Sequence, residues 1–379
     1  FKYIYFIWHY SKFNKKENYL LMKKILISTG GSGGHVLPAL NIYDHLHNNF
    51  DISIITDKRG SRFIDNKLYK FDIIDTPRLS LNIFNLFFNI YFFFYSLVKA
   101  FIYFKKNKIK VLVSTGGYMS LPFCLTAIIM NVKIILFEPN MVLGRSNKII
   151  LKFAKKIICY NNFNIQFPEK YSHKIFAVEP LLKKEIYKLQ KYKQKKNFGN
   201  LDLLIIGGSQ GAEFFDDFIK NVLTKLSDIT QIKVYQQINN QKKQKILSKT
   251  YEELGIKYSF FSFDINIFSK IGNIDLAITR CGASSLAELT HLNIPFVGVP
   301  FPFAKDNHQY MNGKFYYDKG CCWLIDQKEI DTQKVETIIK NIINNNSNFG
   351  EKILNMNKLS IKNNWRNTNT NLIKLFDEC

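Results

Sequence analysis

The feature that most limits how this chain can fold is a repeated opening. KILISTGGSGGH (24–35) and DLLIIGGSQGA (202–212) each run from a short β-rich apolar stretch, through a double glycine and a serine, to another glycine and a helical pattern. Each heads a series in which such runs alternate with longer helical ones. The runs fall at 25–29, 52–56, 111–115, 133–137 and 156–160 in the first half, and at 201–207, 233–238, 257–261, 275–279 and 295–299 in the second. This alternation predicts parallel sheets assembled from βαβ units. The fold class that follows is α/β, two Rossmann-like parallel-sheet lobes facing a cleft, with ligand bound outside the carboxyl ends of the strands. At 379 residues the chain also exceeds what one hydrophobic core ordinarily carries. We expect a first lobe over 22–180, a second over 181–345, and a C-terminal helix over 346–379 that packs back on the first lobe. The basic stretch 183–197 reads as a loop or linker region. Residues 1–21, ahead of Met22, read as a leader outside the fold, with translation expected to start at Met22.

The glycine loops Gly30–His35 and Gly207–Ala212 are suited to an anionic ligand. Glycine lets backbone approach closely, and the helix that follows offers unpaired N–H groups and the positive end of its dipole. A nicotinamide-binding loop is the rival reading. The pattern G-x-G-x-x-G read from Gly31 requires glycine at position 36, where Val36 stands, although Asp57 at the end of the next strand would suit a ribose. Tight turns without any ligand are the plain structural alternative. His35 closes the first loop at a helix start, where a neutral imidazole could take a proton from a sugar hydroxyl; alone, a turn histidine would be structural.

The segment 279–315 gathers the most chemistry. Ser284 and Ser285 fall where a helix N-cap belongs, and Glu288 is spaced for a capping box with Ser285. The same carboxylate could instead accept hydrogen bonds from ribose hydroxyls. Asp306, His308, Gln309 and Asn312 follow a proline-containing loop, a density of polar groups suited to a sugar.

The net charge of +23 calls for an anionic surface or a phosphorylated substrate, or reflects a compositional bias toward lysine. No arginine-rich or aromatic-interleaved motif suggests nucleic acid. The six cysteines form no C-x-x-C pair, which suggests neither zinc nor redox chemistry, and a reducing cytoplasm is the natural setting. No charge interrupts LSLNIFNLFFNIYFFFYSLV between Arg78 and Lys99. A single span there would separate strands of one sheet, so a buried helix or an interfacial surface remains. We expect the interfacial surface, with Lys99, Lys105, Lys106 and Lys108 facing anionic headgroups.

Taken together, these motifs resemble the MurG family of glycosyltransferases. GGSGGHVLPAL, STGGYMSLP (114–122), EPN (138–140) with GRSN (144–147), GGSQGA, TRCGASSLAE (279–288) and P-x-P-x-A-x-D-x-H-Q-x-x-N (300–312) occur in family order over most of the chain. The resemblance implies the two-lobed GT-B fold and inverting transfer of N-acetylglucosamine from UDP-N-acetylglucosamine to lipid I, without a cofactor or metal. It further implies a peripheral enzyme on the cytoplasmic face of the bacterial inner membrane, partnered by the anionic membrane surface and by other cell-wall synthesis proteins. Carried over by motif, His35 is the base. Ser32, Gly33, Gly34, Asn140, Ser209, Arg280, Ala283, Ser284, Ser285, Glu288 and Gln309 contact the donor. Tyr118, Glu138 and Asn140 stand on the acceptor side.

The chain departs from the family pattern at three places. Phe137 and Pro139 flank Glu138 where histidine and glutamine are usual, Leu182 with Lys183 beside it stands where an arginine is usual, and Leu121 replaces a glycine. A related glycosyltransferase acting on diacylglycerol, and a non-catalytic UDP-sugar-binding subunit, are the alternatives.

Overall fold

The computed structural model describes residues 22–76, 83–160, 167–193, 199–209, 211, 213–344 and 347–379, with backbone alone over 83–89. The expected leader over 1–21 lies outside the described residues. The first half contains β1 (Lys24–Ser28), α1 (Gly33–Leu46), β2 (Asp51–Thr56), β3 (Phe71–Ile73), α2 (Ile83–Asn107) and β4 (Val111–Ser114). It continues with α3 (Ser120–Ile129), β5 (Lys133–Glu138), α4 (Arg145–Ile150), β6 (Lys156–Tyr160) and β7 (Ile175–Val178). These strands form one sheet in the order β3-β2-β1-β4-β5-β6-β7, every neighbouring pair parallel. The order reverses direction beside β1, which opens a crevice at its carboxyl end.

The second half repeats the plan with β8 (Asn200–Ile206), α5 (Glu213–Leu226), β9 (Gln231–Gln237), α6 (Gln241–Glu253), β10 (Lys257–Phe261), α7 (Ile267–Lys270) and β11 (Leu276–Thr279). Then come α8 (Ala283–His291), β12 (Phe296–Gly298), α9 (His308–Asp318), β13 (Cys322–Leu324), α10 (Thr332–Ile343), α11 (Ser347–Ser360) and α12 (Trp365–Asp377). Its sheet is β10-β9-β8-β11-β12-β13, again parallel. The central strands are fully buried, as their unbroken apolar runs require. The strands absent from the sequence expectation are β3, β7 and β13. All three are short, lie at sheet edges and are only partly buried, so they carry little apolar signal.

Two packing details matter for the site. The stretch 183–197, read as a loop or linker, is anchored as far as it is described: Lys183, Ile186 and Tyr192 are buried, and Ile186 and Tyr192 belong to the core of the second lobe. The last helix, α12, places Leu372, Leu375 and Phe376 in the core of the first lobe beside α1, and Cys379 just beyond it joins them. Lys23 and Lys155 donate to the carbonyls of Phe376 and Glu378 at 2.7 and 2.6 Å, cations meeting the negative end of that helix.

The long helix α2 touches the lobe along a narrow stripe. Ser96, Ala100 and Phe104, four residues apart, are buried, while Tyr91, Phe94, Val98 and Ile102 are exposed by 65, 61, 57 and 58%. A core helix would bury those rings, so that alternative is set aside. Among the described residues no helix is long and apolar enough to cross a membrane.

Candidate active site

Both glycine loops end their strands at the same level and face each other. Gly31 and Gly208 have φ of +82° and +75°, conformations that side chains resist. A β-carbon built on Gly33 would lie 2.4 Å from Ser209 Cβ, so the lobes touch at the loops and nothing larger than glycine fits at 33.

Each loop is pinned by a polar side chain at the end of the next strand. Asp57, after β2, accepts the N–H groups of Gly31 and Gly60 at 2.9 and 2.8 Å through Oδ1. Its Oδ2 accepts from the Tyr118 hydroxyl and from Arg59 Nη2, the latter at 3.1 Å. Gln237, ending β9, accepts from Gly207 N–H at 3.0 Å and donates to the Gly208 carbonyl at 2.9 Å. Asp57 therefore holds loop geometry, and the ribose role considered for it fails because its oxygens are already taken. Sequence reasoning missed Gln237; the available signal was its place in the second repeat, matching Asp57 in the first.

His35 sits in the first turn of α1, half-buried. Its Nδ1 lies 2.9 Å from the Thr115 carbonyl, which requires the proton there and leaves Nε2 as the acceptor. Burial lowers its pKa, the Thr115 bond opposes this, and the Lys305 charge lowers it further. The imidazole is neutral, as a base must be. Ser32, the N-cap of α1, makes no side-chain cap bond, while Gly33 is buried and Gly34 exposed.

On the other side, α8 begins at Ala283 with Gly282 as N-cap and no side-chain cap. The expected capping box therefore does not form: Gly282 is the N-cap, and Ser284, Ser285 and Glu288 all lie inside the helix. These three line a cavity of about 570 Å³, including its open mouth, together with Gly208, Gln237 and Lys183. Burial lifts the Glu288 carboxyl to about 7, against the pull of Lys183. No hydrogen bond joins that carboxylate to a described residue.

Arg280 faces elsewhere. Its Nη1 donates to the carbonyls of Val299 and Pro300 at 3.2 and 3.1 Å, and its Nη2 to Gln327 at 2.6 Å. The guanidinium lies over the rings of Phe214, Phe215 and Phe301, and burial lowers its pKa to about 10. Gln309 accepts the Phe301 N–H at 2.9 Å. Both side chains shape the 299–304 loop.

The lobes are also tied by amides. Asn312, buried on α9, donates to Asn140 Oδ1 and to the Cys281 carbonyl, and accepts the Met141 N–H at 2.9 Å. Glu138 is 3% exposed; its oxygens accept from Asn140, Gly144 and Asn147, although burial raises its pKa. Glu138 thus acts through Asn140 and the segment that follows. At the rim, Arg145 pairs bidentately with Asp306, whose φ is +53°. Phe137 points into the first core against Tyr160, and Leu182 is fully buried, so neither departure adds a cleft group.

Across the two Rossmann-like lobes, the first glycine loop meets Ser209 of the second, with His35 following the first loop and the Glu288 pocket beside Gly208 of the second. Models of the N-terminal and C-terminal domains of glycosyltransferase family 28 match residues 25–159 and 202–366. The chain belongs to glycosyltransferase family 28.

Among relatives of this family 28 glycosyltransferase, a protein of Pelagibacter ubique is 44% identical over 94% of this chain and 99% of its own length. One of Rickettsia felis is 32% identical, covering 86% and 92%. Both are named UDP-N-acetylglucosamine--N-acetylmuramyl-(pentapeptide) pyrophosphoryl-undecaprenol N-acetylglucosamine transferase. The crystal structure of Acinetobacter baumannii MurG superposes with a TM-score of 0.73 at 20% identity, covering 94% of this chain and all of that one. The MurG-family resemblance and the GT-B fold read from the motifs are therefore borne out.

Proposed function

We propose that this glycosyltransferase moves N-acetylglucosamine from UDP-N-acetylglucosamine to the muramyl 4-hydroxyl of lipid I (undecaprenyl-pyrophosphoryl-MurNAc-pentapeptide), with inversion, forming lipid II for peptidoglycan synthesis. The observation that carries this reading is the meeting of the glycine loops at Gly33 and Ser209, with neutral His35 on one side and the Glu288 pocket on the other. The names of the relatives supply the two substrates.

In this reading the uridine enters the pocket and its ribose hydroxyls donate to Glu288. The diphosphate lies against the 207–211 loop and the start of α8, at Ala283, Ser284 and Ser285, with Ser209 beside it. Arg280 and Gln309 hold the 299–304 loop against the donor, and Arg280 adds its charge from below. Ser32, Gly33, Gly34 and Asn140 line the reacting centre, with Tyr118 and Glu138 on the acceptor side. His35 Nε2 takes the proton of the 4-hydroxyl as its oxygen bonds to the anomeric carbon. The bond from that carbon to the UDP oxygen breaks, its electron pair leaves on the β-phosphate, and N–H groups stabilise the charge.

The exposed face of α2 suits a lipid-linked acceptor. Its aromatic side chains enter the interface while Lys99, Lys105, Lys106 and Lys108 meet anionic headgroups, giving peripheral attachment at the cytoplasmic face of the inner membrane. Other proteins of cell-wall synthesis would meet the enzyme there.

Offering radiolabelled UDP-N-acetylglucosamine with either lipid I or diacylglycerol tests the reading. Label in lipid I supports it. Label in diacylglycerol alone, binding without turnover, or no UDP-sugar binding would each replace it.

A further inference from the structure

The donor pocket contains a cation that the glycosyltransferase reading does not use. Lys183 is 6% exposed, yet it forms no ion pair within 4.0 Å among the described residues. Its Nζ donates to Asn266 Oδ1 at 3.0 Å. Burial lowers its pKa, opposed by the charges of Glu288, Asp44, Glu185 and Asp264. The nearby Asp264 already accepts the Asn266 N–H at 2.8 Å and Lys270 Nζ at 2.5 Å. A buried ammonium of this kind costs several kcal/mol unless acceptors complete its shell. Among the described residues its other two N–H donors meet no acceptor and can serve a ligand.

The pocket is lined by Gly208, Ser284 and Ser285 and by the rings of Phe261, Phe263 and Phe268, which suit the faces of a base. Asn266 lies between Phe263 and Phe268 in the chain, so its bond holds the ammonium beside the segment that supplies two of those rings. Glu288 and Lys183 line one cavity without touching: a carboxylate that needs donors beside an ammonium that needs acceptors. A pyrimidine nucleoside meets both demands, with ribose hydroxyls that donate and carbonyl oxygens that accept.

We propose that Lys183 is a specificity-determining residue that binds the nucleoside of the donor and not its diphosphate. The inference rests on the donor reading above, and assigns the pocket cation to position 183 while Leu182 fills the core. The choice matters because a phosphate contact would strengthen with each added phosphate, whereas a nucleoside contact would be equal for all three ligands.

The test titrates uridine, UMP and UDP into full-length protein, as wild type, Lys183→Met and Asn266→Ala. Lys183→Met should weaken all three by about the same factor, roughly tenfold or more for a charge-assisted hydrogen bond. Asn266→Ala, at an exposed residue whose change leaves the core intact, should weaken all three equally but less. Losses confined to UMP and UDP, or no loss in folded variants, would overturn the proposal while leaving the donor reading intact. A wild-type protein that binds none of the three would instead remove the donor reading.

Discussion

Gly33 and Ser209 approach so closely that a β-carbon on the glycine would lie 2.4 Å from that of the serine. Gly33→Ala must therefore push the glycine loops apart, although alanine is a better helix former at that position. A misplacement near 1 Å costs about a hundredfold in rate. We expect kcat/KM to fall by that order with an almost unchanged Tm. Wild-type turnover would mean that the loops need not meet.

His35→Ala should lower turnover by about two or more orders of magnitude with UDP affinity largely kept. Because burial depresses the pKa of His35, the acid limb of the kcat profile at saturating donor should fall below the usual histidine value of about 6.5. The base is lost only when pH drops through that lowered value. An unmoved acid limb, or near-normal turnover of the alanine variant, would sink the assignment.

The Glu288 carboxyl, raised to about 7, must also be deprotonated, and at a higher pH than His35. Only the ionised form accepts from both ribose hydroxyls, so UDP affinity should rise as pH climbs from 6 to 8. In the ligand-free protein the same raised pKa means that stability declines as pH rises from about 4.5 to 7. Calorimetric titration of UDP across this range checks the first effect, and Glu288→Gln should bind weakly and flatten it.

Between the lobes, His45 stacks on Trp365 at 4.1 Å, and Tyr187 stands edge-on to both His45 and His291. His45 Nε2 and His291 Nδ1 have no hydrogen-bond partner among the described residues, and burial lowers both pKa values to about 4. Their neutral forms favour the folded state, so their contribution to stability should be complete above about pH 6.5 and drain away toward pH 4, against the opposite contribution of Glu288. Each contributes at most roughly 3 kcal/mol. Thermal unfolding across this window should show the loss, and His45→Phe should reduce it.

Replacing Tyr91, Phe94, Val98 and Ile102 together with serine should abolish flotation with anionic liposomes and leave Tm nearly unchanged, because these side chains are exposed. Equal flotation of a folded variant would refute the membrane-facing role of α2.

The sequence was readable where structure repeats. The glycine loops head both sheets, and long apolar strands declare themselves because they are buried on both faces. Edge strands such as β3 did not, since a half-wet strand of three residues has no period to detect. Ser284, Ser285 and Glu288 line one pocket with Gly208 of the second glycine loop, and Ser209 of that loop meets Gly33 of the first. What residue type alone could not reveal was direction. Arg280 turns its guanidinium to backbone carbonyls, Glu138 spends both oxygens on its own loop, and Lys183, inside a stretch read as linker, turns into the pocket. For Arg280 and Lys183 such choices depend on neighbours brought in from other segments, as Gln237 is for the second loop.

The placement of α12 has a consequence for how the protein is made. Leu372, Leu375 and Phe376 complete the core around α1, and the C-terminal end of that helix is held by Lys23 and Lys155. A ribosome adding about 5–20 residues per second would finish the first lobe on the order of ten seconds or more before supplying its last helix. Through that interval α1 would present an uncovered apolar flank, on the face of the sheet opposite the one that carries α2. The nascent first lobe is thus the stage most exposed to aggregation, and a chaperone or an early membrane contact would act there to greatest effect.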